Sequence, residues 1–265
     1  MSRERGSLAQ AYAASAPAWA EAPSRIYQVL ADALVAGAPV SLAGRHVADL
    51  GAGTGTVSRA LIGAGACVVA FDLVAEMLAQ GGPGRAPGAV ADLAALPVTA
   101  DAVDAAVAGF VLNHLHDPTA AVAEMARVVR SGGPVLASTF AAQPRHRAKV
   151  VVEDAAAAFG YIEPPWYTEM KVEVEPRTAR ADRLAAVATA AGLVDVAVDE
   201  RAVNVGADTP EVIAAYRLSM AQFAPFVAGL DDQRRQALHA AVIEALGPDV
   251  EPIRPVVLFL AAHVP

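Results

Sequence analysis

The chain has 265 residues, of which 55% are hydrophobic, 18% are charged and only 5% are aromatic, and its formal net charge is −8. This length suits one large α/β domain, or one such domain with a helical insertion. The acidic balance argues against a nucleic-acid-binding protein, which needs a concentrated basic surface against phosphate.

Membrane and disulfide chemistry are also disfavoured. No apolar run approaches the roughly 18 residues that a membrane span requires. The chain has one cysteine, Cys67, so an intramolecular disulfide cannot form. We therefore expect a cytoplasmic protein that does not contact membranes, with Cys67 as a buried thiol in an apolar strand.

Short apolar runs alternate with longer amphipathic segments from residue 25 onward. Strands are predicted at 46–50, 66–72, 89–92, 103–112, 135–140, 193–198 and 255–263. Helices are predicted at 25–37, 56–64, 74–80, 118–129, 147–159, 178–191, 210–220 and 231–246. This alternation favours an α/β fold with a doubly wound, seven-stranded, mostly parallel sheet and helices on both faces.

The most informative stretch is a glycine-rich turn after the first predicted strand, with the sequence VADLGAGTG at residues 47–55. Glycines at alternate positions let the backbone turn sharply and approach a ligand closely, with amides at a helix N-terminus. Dinucleotide-binding sites contain such a turn too, but their sequence motif has glycine or alanine at the position that Thr56 occupies in this chain. Asp49, just before the glycines, would repel a pyrophosphate and suits a ligand with a cationic amino group.

This segment resembles the first motif of the class I S-adenosylmethionine-dependent methyltransferases, and the resemblance extends over the rest of the chain. It implies that Gly51, Ala52 and Gly53, with Asp49 beside them, hold the methionine end of S-adenosyl-L-methionine. Later segments of the chain also resemble motifs of the family. Asp72 ends the second predicted strand, Asp92 follows the third, and residues 110–115, FVLNHL, follow the fourth.

The resemblance assigns further cofactor contacts. Asp72 is expected to accept hydrogen bonds from both ribose hydroxyls, with Leu73 and Met77 beside the adenine. In the segment Ala91, Asp92 and Leu93, the carboxylate is expected to accept from the adenine amino group. Phe110 and Val111 are expected to line the same site. Three acidic residues at successive strand ends agree with ligand binding at the carboxyl edge of an open parallel sheet.

His114 is the candidate catalytic residue. It follows the fourth strand, where substrate is expected to meet the cofactor methyl group, and imidazole suits proton removal near neutral pH. Packing beneath the cofactor is the alternative role. His116 is expected in a helix-capping turn, and His146 is a third candidate whose alternative is a plain surface position.

The chain is predicted to be a single methyltransferase domain, 1–265, in three functional parts. Residues 1–37 would form an N-terminal helical cap, in which Tyr12 and Arg25 are candidate cofactor contacts. Residues 38–142 would form the cofactor-binding core. Two insertions, 143–176 and 202–250, would form a helical lid and the substrate site, with Trp166 and Tyr167 as an aromatic wall.

The predicted activity is methyl transfer to a small-molecule substrate, an apolar or aromatic metabolite, without a metal ion or nucleic acid. Some relatives with intact sites catalyse cyclisation or decarboxylation, and this alternative stays open. A non-catalytic cofactor-binding subunit and an NAD-dependent oxidoreductase are less favoured. The substrate, the methylated atom and the oligomeric state do not follow from the sequence.

Overall fold

The computed structural model describes residues 2–82 and 84–265, in which seven strands form one sheet. The strands are β1 (His46–Leu50), β2 (Cys67–Asp72), β3 (Gly88–Val90), β4 (Ala105–Gly109), β5 (Pro134–Phe140), β6 (Val194–Ala202) and β7 (Val256–His263). Their order across the sheet is β3-β2-β1-β4-β5-β7-β6. β7 is antiparallel to β5 and β6, and the other neighbours are parallel. The predicted doubly wound, mostly parallel sheet is confirmed.

The α-helices of the described residues are α1 (Ser2–Glu21), α2 (Pro23–Ala36), α3 (Thr56–Gly63), α4 (Ala75–Ala79), α5 (Pro118–Val128), α6 (Arg147–Ala158), α7 (Pro165–Glu169), α8 (Ala181–Ala190), α9 (Pro210–Leu218), α10 (Ala224–Ala228) and α11 (Asp232–Leu246). Three shorter helical turns are Leu112–His114, Met170–Val174 and Glu175–Arg177. Within residues 2–82 and 84–265, none of these helices combines the length and apolar character needed to cross a bilayer.

Helices cover both faces of the sheet, which explains the continuous apolar strands. In β4, Ala105 and Val107 belong to the core beneath α2, α3 and α6, while Ala106 and Ala108 belong to the core beneath α5 and α8. A strand that alternates between two buried faces needs no polar side. This packing fixes the carboxyl ends of β1, β2 and β4 side by side.

The predicted fourth strand, 103–112, is longer than β4. Phe110 has φ 58°, in the left-handed region, and the chain then enters the turn Leu112–His114. The apolar run in the sequence extends past the end of β4 because Leu112, in the following turn, is also buried. α7 and α10 were not predicted, because five-residue helices that begin beside proline leave no periodic pattern.

The prediction that Cys67 is buried was wrong, since its side chain is exposed. Cys67 is the first residue of β2, and full burial in this strand begins only at Ala70. The apolar run thus starts at the uncovered amino end of the strand, where the helices do not reach.

Candidate functional site

The turn between β1 and α3 presents bare backbone at the carboxyl edge of the sheet. Gly51 and Gly53 have φ of 71° and 54°, a conformation that favours glycine. A Cβ atom on Gly51 would lie 2.6 Å from the side chain of Val111, so there is no room for a larger residue. The turn therefore lets a ligand approach the main chain directly.

The amides of this turn are already used inside the protein. Gly51 N–H and Ala52 N–H both donate to the carbonyl of Phe71, at 2.8 and 3.0 Å, and Gly53 N–H donates to Asp72 Oδ2 at 2.8 Å. These three amides precede α3, which begins at Thr56, and are engaged within the protein. A turn whose donors are occupied is a poor cradle for a phosphate. It is better suited to a ligand with a cationic group.

Asp72, at the end of β2, is held by main-chain donors on both carboxylate oxygens. In addition to the bond from Gly53, Val74 N–H donates to Oδ1 at 2.8 Å. Burial raises the pKa of Asp72, and the hydrogen bonds from Val74 and Gly53 oppose that effect. Each oxygen keeps a further lone pair, so the fixed carboxylate can still accept bonds from two neighbouring hydroxyls.

A cavity of about 340 Å³ lies over this turn, at the carboxyl ends of β1, β2 and β4. Most of the residues predicted from the sequence line it: Tyr12, Gly51, Ala52, Gly53, Asp72, Leu73, Met77, Asp92, Leu93, Phe110, Val111 and His114. The position agrees with ligand binding at the carboxyl edge of a doubly wound sheet. Fixed oxygens from Asp72 beside apolar Leu73 and Met77 suit an adenosine group.

Three predicted site residues do not line the cavity. Arg25 has an exposed side chain on α2, and Ala91 is buried beside β2, where its N–H donates to the carbonyl of Asp72 at 2.9 Å. Asp49 is fully buried, and its Oδ2 accepts a 2.6 Å hydrogen bond from Ser58 Oγ. These residues can act on a ligand only through the groups around them.

The electrostatic state of Asp49 is unusual. Burial raises its pKa to about 7, against the lowering effect of the Ser58 hydrogen bond and with a further increase from nearby Asp72. Its Oδ1 has no hydrogen-bond partner among the described residues. A buried acid with one unsatisfied oxygen lies directly behind the glycine turn and beneath the cavity.

His114 and Tyr12 form a hydrogen-bonded pair in the cavity wall. The Tyr12 hydroxyl lies 3.2 Å from Nε2 of His114, and Nδ1 lies 3.0 Å from Sδ of Met170. Both rings contact the cavity but are otherwise surrounded by protein. Burial lowers the pKa of His114 to about 4, helped by the charge of Lys171, and it raises the pKa of Tyr12 well above its usual value. The pair is therefore neutral at pH 7.

Aromatic side chains form the wall beside this pair. Trp19 and Tyr27 line the cavity, with ring centroids 5.2 Å apart, and Tyr27 meets Phe110 edge to face at 5.4 Å. Tyr27 was not predicted, because it falls among the core positions of α2 and only packing shows that it faces the cavity. His116 also lines the cavity. His146 instead accepts from the Ala148 amide at 3.2 Å and caps α6.

The predicted lid, 143–176, lies beside the cavity but supplies none of its lining residues. Trp166 and Tyr167 are half-buried and pack edge to face at 5.7 Å. α7 packs against α1, and Met170 reaches His114. This segment therefore contacts the cavity wall from behind.

The comparisons with known proteins agree with this geometry. Residues 48–137 match the family model described as a methyltransferase domain. Demethylmenaquinone methyltransferase of Mycolicibacterium paratuberculosis is 35% identical over 138 residues, which are 52% of this chain and 54% of that protein. The chain thus spans about half the length of the curated relatives it matches.

Solved structures share the fold. A putative methyltransferase from an antibiotic biosynthesis pathway of Anabaena variabilis has a TM-score of 0.60 at 16% identity, and the match covers 87% of this chain and 95% of that one. The Haemonchus contortus phospholethanolamine N-methyltransferase 2, in complex with phosphomonomethylethanolamine and S-adenosylhomocysteine, has a TM-score of 0.54 at 18% identity. That match covers 90% of this chain and 52% of the other chain.

Proposed function

We propose that this chain, whose core belongs to the class I S-adenosylmethionine-dependent methyltransferases, transfers a methyl group to a small acceptor with apolar or aromatic character. One observation carries the proposal: a single cavity joins two different walls. The first wall contains the glycine turn and Asp72, and the second contains the Tyr12–His114 pair and the aromatic rings.

The first wall supplies the contacts that S-adenosylmethionine needs. Asp72 would accept from the ribose hydroxyls, and Leu73 and Met77 would flank the adenine. Asp92 Oδ1 accepts a 2.9 Å hydrogen bond from Ala94 N–H. The same carboxylate would accept a hydrogen bond from the adenine amino group. The methionine end would lie along the turn at residues 51–53, where main-chain carbonyl oxygens can accept from a cationic amino group.

When bound, the cofactor supplies a sulfonium methyl group with an activated leaving group. The protein must then align the acceptor, exclude water and remove a proton where the acceptor has one to lose. Trp19, Tyr27 and Phe110 would align an apolar acceptor against the cofactor. They would also keep water from the reacting atoms.

Proton removal falls to His114. Its low pKa keeps the imidazole neutral at pH 7, so the ring nitrogen without a hydrogen can accept a proton directly or through the Tyr12 hydroxyl. A donating Tyr12 hydroxyl requires the ring hydrogen on Nδ1, where Sδ of Met170 faces it. Such a weakly basic imidazole matches an acceptor that is itself acidic, because proton transfer is most effective between groups of similar pKa.

The relatives support a small acceptor. Their name, demethylmenaquinone methyltransferase, denotes a small-molecule substrate. The family model matches the segment that includes the glycine turn and Asp72. Residues 143–176 would close over the acceptor as a lid. Two contacts favour this role: α7 packs against α1, and Met170 contacts His114.

The first experiment measures cofactor choice. S-adenosylhomocysteine at about 100 times its dissociation constant should stabilise the protein by roughly 2.7 kcal/mol, whereas NAD should not raise the melting temperature. Binding of NAD alone would overturn the proposal.

The second experiment separates methyl transfer from the alternative chemistry. Candidate acceptors are incubated with the protein and S-adenosylmethionine, and product and S-adenosylhomocysteine are both quantified. Equal amounts of the two support methyl transfer. Product without S-adenosylhomocysteine would instead show cyclisation or decarboxylation.

A further inference from the structure

A buried cation links the two insertions behind the aromatic wall. Arg217, on α9, is only 3% exposed, and its Nε and Nη2 have no hydrogen-bond partner within the part of the chain that the structure describes. Oε1 of Glu153, on α6, lies 3.9 Å from Nη2, which is too far for a hydrogen bond. The guanidinium is thus attracted by a carboxylate that does not bind it directly.

The charges around Arg217 do not balance. Glu153 already pairs through its other oxygen with Arg145, and Lys171 pairs with Glu175. Lys149, on α6, is half-buried, and its main-chain N–H donates to the carbonyl of His146 at 3.0 Å. Burial lowers the pKa of Lys149 to about 8, and the positive charges of Arg217, Lys171 and Arg145 act in the same direction, against Glu175. An unbalanced cation of this kind is costly to bury unless it has a partner.

Further unsatisfied polar atoms accompany the guanidinium. Arg217 Cζ lies 5.9 Å from the ring centroid of Phe223, and the Tyr161 ring lies 4.4 Å from the same ring. The Tyr161 hydroxyl and Nε2 of Gln222 are both buried without a hydrogen-bond partner among the described residues. Each of these atoms can donate a hydrogen bond, so a ligand with acceptor oxygens would meet unused donors here.

The cluster adjoins the cavity. Met220, three residues after Arg217, packs with Tyr27 against the apolar cluster that contains Trp19. The positive charge of Arg217 also opposes the rise in the pKa of Tyr27 that burial causes. Tyr27 lines the cavity, so Arg217 lies behind its aromatic wall on the acceptor side. Neither Arg217 nor Lys149 lines the cavity itself, so an acceptor would have to move the Tyr27 ring aside to reach the donors.

We propose that Arg217, supported by Lys149, binds an oxyanion on the methyl acceptor. This inference rests on the proposed function and narrows its substrate class to apolar or aromatic molecules with a carboxylate or phosphate group. The fork of a guanidinium matches both groups, with two parallel N–H donors for two oxygens. The apolar part of the acceptor would then lie against the aromatic wall.

The test uses defined probes on protein saturated with S-adenosylhomocysteine. The probes are 4-hydroxybenzoate, phenyl phosphate and the uncharged 4-hydroxybenzamide, and their affinities are measured by calorimetry. We expect at least one oxyanion to bind more than about tenfold tighter than the amide, because hydrogen bonds to charged groups are strong. A preference between the two oxyanions identifies a carboxylate or a phosphate acceptor. Binding of neither, or equal binding of the amide, overturns the proposal.

Two substitutions on opposite sides of the cluster sharpen the test. Arg217→Gln should weaken the oxyanion about 10- to 100-fold. Glu153→Gln should strengthen it, because a competing negative charge is removed. Arg147→Gln, at an exposed position of the same helix as Lys149, is the matched control and should change nothing.

A purely structural role gives a different result. If Arg217 serves only to join α9 to α6, both Arg217→Gln and Glu153→Gln lower the melting temperature and leave oxyanion affinity unchanged in the folded protein. Should Arg217→Gln fail to fold, Lys149→Met provides the same measurement at a half-buried position. Failure to bind S-adenosylhomocysteine would overturn the proposed function, whereas normal cofactor binding without oxyanion binding would overturn this inference alone.

Discussion

The two walls of the cavity are built in different ways. The cofactor wall is local: Asp72 is bound by the main chain of Gly53 and Val74, within one β-α-β unit. The acceptor wall depends on side chains that are distant in sequence, since Tyr12 and His114 are 102 positions apart and His114 and Met170 are 56 apart. The first wall is therefore held by the backbone of the sheet, whereas the second can change with the substrate while the sheet stays intact.

The largest expected effect tests the acceptor wall. His114→Ala should lower turnover by roughly 10²–10⁴-fold at saturating cofactor, the usual contribution of a general base. S-adenosylhomocysteine affinity should hardly change. Because the pKa of His114 is about 4, wild-type turnover should be flat near neutral pH and should fall as pH decreases towards 4, where the imidazole becomes protonated.

His46→Ala is the matched control for this variant, because the His46 side chain is exposed at the amino end of β1 and does not line the cavity. It should keep near-normal turnover. If His114→Ala instead weakens the cofactor and leaves saturated turnover intact, His114 packs against the cofactor and does not act as a base.

A smaller effect is expected at the cofactor wall. Asp72→Ala should weaken S-adenosylhomocysteine about 10- to 100-fold, because hydrogen bonds between the carboxylate and the ribose are lost. The free energy of unfolding without ligand should fall by less than the free energy of cofactor binding, since Asp72 borders the cavity. A variant that unfolds, and whose folded fraction binds the cofactor normally, would show that Asp72 is structural.

The last prediction concerns folding stability rather than activity, and it tests the acid behind the glycine turn. A pKa of about 7 in the folded protein, above the value of 3.8 for an ordinary aspartate, means that the folded state binds the proton more tightly. Ionisation of Asp49 therefore costs stability as pH rises from about 4 through 7. Asp49→Asn should stabilise the protein at pH 8, relative to its effect at pH 4, by on the order of 4 kcal/mol.

Thermal unfolding at both pH values, with and without S-adenosylhomocysteine, measures this difference. Equal effects of Asp49→Asn at pH 4 and pH 8 would contradict the raised pKa. A large loss of cofactor affinity would show that the negative charge of Asp49 acts on the ligand through the turn.

The sequence predicts the cofactor wall well because its determinants are local. The strand ends at Leu50 and Asp72 and the run of alternate glycines are visible in short windows, and most of the predicted cofactor contacts line the cavity. Arg25 and Asp49 do not line it, because the Arg25 side chain is exposed to solvent and the Asp49 side chain is buried in the core. A residue on the correct helix or strand can still point to solvent or into the core, and sequence spacing alone did not resolve this.

The acceptor wall was much less predictable. Nothing near Arg217 in the sequence indicates Glu153 or Lys149 as neighbours, because α6 and α9 meet only through tertiary packing. Tyr27 was likewise hidden among the apolar positions of α2. Long-range side-chain contacts of this kind follow from how insertions pack on the sheet, and short patterns do not encode that packing.

The helix α1 forms part of the cavity wall through Leu8, Ala9, Tyr12 and Trp19. Ligand occupancy and the docking of this helix are therefore linked equilibria, and each must favour the other by the same free energy. Detachment of α1 would remove one side of the cavity from around a bound nucleoside. We therefore expect the residence time of the spent cofactor to increase with the free energy of docking of α1. Ligand release should thus be sensitive to a segment that lies outside the sheet and far from the glycine turn in the sequence.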